Sequence, residues 1–86
     1  MSKRHNMVTR KDRKIEYDML IMTADGKKYK HGTVFGPYTL AALKAMEAAK
    51  LEAGKALLLD LTISSDEEHL FGMPREEYFR QAVILD

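Results

Sequence analysis

The stretch that decides the fold is Lys14–Phe35, KIEYDMLIMTADGKKYKHGTVF. Ile15, Tyr17, Met19 and Ile21 recur at every second position, and Tyr29, His31, Thr33 and Phe35 do so on the return. A period of two places alternate side chains on one face of an extended chain. Ala24-Asp25-Gly26-Lys27 separates the two runs. Asp-Gly tolerates the positive φ angles of a type I′ turn, whose twist matches that of paired strands. The stretch therefore predicts a β-hairpin. With Asp25-Gly26 as a two-residue turn, Met22 pairs with Tyr29, Leu20 with His31 and Tyr17 with Val34. One face then collects Ile15, Tyr17, Met19, Ile21 and Val34. The other collects Leu20, Met22, Tyr29 and Phe35, with Glu16 and Asp18 between them. Both faces are partly apolar and one helix covers only one of them, so the second needs another cover or a partner.

Downstream, Gly36-Pro37 ends the second strand, because proline has no N–H for a ladder. A helix follows from about Thr39 to Ala53, with Thr39 or Pro37 at its start, rich in alanine and closed by Gly54 as the residue after its C-cap. Ala42, Met46, Ala49 and Ala53 form a flat stripe along it, flanked by Leu43. ALLLDLTI, residues 56–63, reads as a third strand with Leu57, Leu59, Leu61 and Ile63 pointing one way. Ser65-Asp66-Glu67-Glu68 has the spacing of a capping box and predicts a short helix that Gly72 stops. A last helix runs from Pro74 to about Val83, burying Tyr78, Phe79, Ala82 and Val83, with Glu76 and Glu77 favoured at its positive end. Residues 82–85 fit a helix end or a short edge strand equally. The expected fold is α+β: a small antiparallel sheet in ββαβαα order, third strand beside the first, with one main helix on it and short C-terminal helices.

Charge divides the chain. Residues 1–14 hold Lys3, Arg4, Arg10, Lys11, Arg13 and Lys14 against Asp12 alone, a net charge of +5. The remainder holds 8 basic and 12 acidic residues, a net charge of −4, with six acids between Asp60 and Glu77. Residues 1–13 have little to bury and read as a basic flexible arm, and 14–86 as a single domain. At 86 residues there is room for one core. The absence of cysteine excludes thiol catalysis, zinc–thiolate sites and disulfides. No apolar run approaches the ~20 residues of a membrane span. The expectation is a cytoplasmic protein with no membrane contact.

Catalytic patterns are weak. His5, His31 and His69 are scattered. Asp66 and His69, three apart on the predicted helix, would be two ligands of an incomplete metal site, so no metal site is assigned. Ser64 and Ser65 are explained by helix capping more cheaply than by nucleophilic chemistry. Glu67-Glu68 and Glu76-Glu77 are neighbours about 100° apart on a helix, a poor geometry for an acid/base pair. No phosphate-binding loop is present. These features predict no enzyme and no cofactor.

Two partner classes remain. Leu20, Met22, Tyr29 and Phe35 would form an apolar face for a protein partner, and a free strand edge leaves homodimerisation open. The alternative is DNA or RNA, held by Lys3, Arg4, Arg10, Lys11, Arg13 and Lys14 of the arm together with Lys27, Lys28 and Lys30 around Tyr29. The sequence thus predicts a small binding or regulatory protein that docks on a macromolecule, a protein ahead of a nucleic acid. Its size and style also suit a phage or bacterial accessory inhibitor.

Overall fold

Alternation along the first two strands does produce a hairpin. In the computed structural model, which describes residues 13–63 and 67–85, β1 spans Lys14–Thr23 and β2 Gly26–Phe35, paired antiparallel. The register differs by two residues from the expected one: Leu20 faces Tyr29, Met22 faces Lys27, Tyr17 faces Gly32, and Asp18 faces His31. The turn residues are Ala24 and Asp25, neither with positive φ, and only Gly26 takes a positive φ, of 114°. Thr23 decides the matter. Its hydroxyl accepts from the Asp25 N–H at 3.2 Å and donates to the Gly26 carbonyl at 3.0 Å, drawing the turn one residue earlier.

Helix α1 covers Leu40–Ala53. Thr39 caps it, accepting from the Ala42 N–H at 3.1 Å. Its C-terminus is a Schellman turn: Ala56 N–H donates to Leu51 O at 2.8 Å and Lys55 N–H to Glu52 O at 2.9 Å. The left-handed residue is Lys55, φ 63°, and Gly54 is the C-cap at φ −91°, one position from the expected arrangement. The expected alanine stripe is also displaced, since Ala49 and Ala53 are exposed whereas Leu43 and Glu47 are buried. The helix rolls to bury Leu43, the larger apolar payload.

Strand β3, Leu57–Thr62, pairs antiparallel with β1, as expected. A bulge breaks its alternation: Leu20 faces Asp60 and Ile21 faces Leu58, so Leu59 is the extra residue. Leu58 and Leu61 thereby both reach the helix-covered core, and Leu57, Leu59 and Ile63 stay exposed rather than pointing inward with Leu61.

The C-terminal third departs further from expectation. His69–Leu70 (β4) and Met73–Pro74 (β5) form a miniature hairpin where a helix up to Gly72 is predicted. Phe71 and Gly72, at φ 54° and 83°, provide the positive-φ pair of a type I′ turn. Helix α2, Arg75–Gln81, follows, and then β6, Val83–Ile84, which pairs parallel with β2 at Lys30 and His31. Val83 is exposed, not buried. The main sheet has the order β3-β1-β2-β6, so one short parallel strand makes it mixed. Its α1 face buries Tyr17, Met19, Ile21, Leu43 and Leu61, and the C-terminal module covers the opposite face.

Candidate functional site

The covered second face is built around a polar line. Alternation places Glu16 and Asp18 of β1 on that face, and the observed register sets His31 opposite Asp18. Asp18, 1% exposed, meets His31 Nδ1 at 2.7 Å through Oδ1, and Glu16 Oε1 lies 3.2 Å from Nε2. Each contact requires a proton between nitrogen and oxygen, carried by the ring or by the carboxyl group. Phe79 meets the His31 ring edge-on at 5.1 Å between centroids. Tyr78, with no exposed surface, donates its hydroxyl proton to the Lys30 carbonyl at 2.8 Å. Burial, and next the neighbouring Asp18 carboxylate, push the Tyr78 hydroxyl far above the ordinary tyrosine range. Tyr29 and Phe71 complete an aromatic cluster around Tyr78.

Across the sheet lies a second polar group in apolar surroundings. Glu47 is buried on α1, beside the Tyr17 hydroxyl and 3.1 Å from Lys50 Nζ. Burial, then the Glu47 carboxylate, raise the Tyr17 hydroxyl above its usual value, and the hydrogen bond that Lys50 donates to Glu47 raises the Lys50 ammonium above its own. Gly32 makes this arrangement fit, since a Cβ there would stand 2.6 Å from the Tyr17 ring. Between α1 and β2 a groove of about 440 Å³ remains open, with Tyr17, Glu47 and Lys50 along its wall.

Of the residues predicted to meet a protein, Leu20, Met22 and Tyr29 are half-buried, and Tyr29 is engaged by Phe71 and Tyr78. Phe35 is 61% exposed at the end of β2, and Tyr38 and Leu40 are exposed just beyond it. A second uncovered apolar row is on β3. Leu57 (63% exposed) and Leu59, with Ile63 just past its end, lie along a strand whose outer edge has no neighbour among the described residues. The leucine run carried that signal in the sequence, and the bulge that exposes it did not.

The basic residues are divided. Lys27 and Lys28 line one cleft of about 280 Å³ with Tyr29, Gln81 and Val83. Lys30 lines the α1–β2 groove instead. Arg13 and Lys14 stand at the open end of the hairpin, about 30 Å along the strands from its turn. Lys3, Arg4, Arg10 and Lys11 lie outside the described residues, as do Ser64, Ser65 and Asp66. His69 is on β4 and not on a helix, so its predicted alignment with Asp66 on one helical face does not arise.

Among the described residues, no three histidine or carboxylate side chains are placed to hold a metal ion. Glu16 and Asp18 flank opposite nitrogens of His31 and so do not converge on a single point. No helix of the described residues is long and apolar enough to cross a membrane. Glu47 and the Asp18–His31 pair are the features that sequence reasoning missed. The signal for the pair was present, two acids alternating on the face of a histidine, but a register two residues off set His31 against Leu20. No family model, curated protein or solved structure matches this chain.

Proposed function

We propose that the protein is a non-catalytic binding module that acts by docking on a protein partner, with the outer edge of β3 as its principal contact. One observation carries this reading: Leu57 and Leu59, with Ile63 just past the strand end, stay exposed beside a strand edge that has no neighbour among the described residues. An edge strand offers unpaired N–H and C=O groups that an extended segment can complete, and flanking leucines supply the apolar area. Asp60 on the same strand and the Leu59 bulge oppose unrestricted pairing, two devices that limit which chains add there. Phe35 at the end of β2 is the member of the sequence-predicted surface that adds most exposed apolar area.

The test is capture from source-cell lysate with wild-type bait and a Leu57→Glu/Leu59→Glu bait, each with and without nuclease. The expected result is a specific protein that survives nuclease and is lost with the double variant. Equal capture by both baits removes the edge from the interface. Loss on nuclease treatment favours the second reading, nucleic-acid binding, which the cleft of Lys27, Lys28 and Tyr29 supports. In that case log affinity should fall with log salt at a slope of about −0.9 per neutralised duplex phosphate.

A further inference from the structure

We infer that the groove between α1 and β2 is a binding site for a small amphiphilic monoanion, an aliphatic chain ending in one carboxylate. The inference is independent of the β3 docking surface, which lies at the other edge of the sheet. At about 440 Å³ the groove falls within the range of small-molecule pockets. Its apolar lining comes from Met19, Val34, Leu43, Met46 and Leu51. Two of these are methionines, whose unbranched thioethers adapt to chains of differing shape. Leu85 closes one end and is held there, because its N–H donates to the His31 carbonyl at 2.7 Å.

Charge selects the head group. Lys50 is balanced by Glu47, 3.1 Å away, whereas Lys30 has no ion pair among the described residues. The groove therefore carries one cation in excess, which one carboxylate neutralises. A cationic amphiphile would meet two ammonium groups with Glu47, the carboxylate of the described lining, already paired. A dianion would bring a second negative charge toward buried Glu47. The chain would lie over the methionines and the carboxylate would reach Lys30 at the open β2 side.

The experiment titrates the full-length protein with decanoate below its micelle concentration while following the methyl NMR signals of ¹³C-labelled methionines. Decanol and decyltrimethylammonium serve as probes of equal chain length. Saturable shifts of Met19 and Met46 with decanoate are expected, with affinity reduced about tenfold for decanol and further for the cation. Lys30→Gln should reproduce the loss for decanoate and leave decanol unchanged. Its backbone carbonyl, which accepts from Tyr78, is unaffected by the substitution. Absent or unsaturable shifts, equal binding of the cation, or undiminished decanoate binding by Lys30→Gln would each overturn the proposal. If Lys30→Gln does not fold, the ranking of the three probes on the wild-type protein decides alone.

Discussion

The two faces of one sheet are stabilised in different ways. The α1 face is mainly aliphatic: Met19, Ile21, Leu43 and Leu61 are buried together, and its polar members, Tyr17 and Glu47, sit at the side where the groove opens. The C-terminal face is aromatic and ionic, with Asp18 and His31 buried under Phe79 and Tyr78. An aliphatic face depends on volume, which neighbours can partly refill after a substitution. A face organised by buried polar groups depends on partners, and removing one leaves a buried atom of the other without its bond.

Substitutions break this comparison most directly at Asp18. Asp18→Ala should cost about 3–5 kcal/mol, because it leaves Nδ1 of the buried His31 ring without its partner. Urea denaturation measures the loss, and a cost below that of Leu43→Ala would show the pair to be incidental. Replacing both partners, Asp18→Leu with His31→Phe, should cost less than Asp18→Ala alone, since no orphan remains. Leu43→Ala on the aliphatic face should cost about 3 kcal/mol, from lost burial and a residual cavity.

Raising pH separates the faces further. Tyr17 and Tyr78 both have hydroxyl pKa values above the ordinary tyrosine value of about 10. The unfolded chain therefore releases these protons first, so the stabilisation is complete below about pH 10 and declines as pH rises beyond it. The urea midpoint should hold from pH 7 to 9 and fall above 10. Tyr78→Phe should lower stability by about 1–2 kcal/mol at neutral pH through loss of the bond to Lys30. The same variant should also flatten most of the alkaline decline, and an unchanged decline would assign it elsewhere.

The smallest expected effect lies outside both faces. Lys55 adopts φ 63° in the Schellman turn, a conformation that glycine takes without steric cost. Lys55→Gly should stabilise by about 0.5 kcal/mol, visible as a raised thermal midpoint. A lowered midpoint would mean that the lysine side chain contributes more than its backbone conformation costs.

Period and punctuation by themselves determined the hairpin, the main helix, the third strand and the last helix around Tyr78. These follow from local rules, in which side-chain direction repeats every two or 3.6 residues and proline or a cap marks the ends. The same rules showed that both sheet faces needed cover. Tertiary structure alone decided how they were covered. Thr23 moved the turn and with it the register, so Asp18 met His31. The choice of Leu43 over the alanines rolled the helix and buried Glu47. The bulge at Leu59 turned three leucines in a row into one that faces the core and two that stay outside, and the positive-φ turn at Phe71-Gly72 replaced a helix with a hairpin. Each of these outcomes compares the free energy of alternative contacts between distant segments. A window of neighbouring residues holds one partner of each contact, and the energy belongs to the pair.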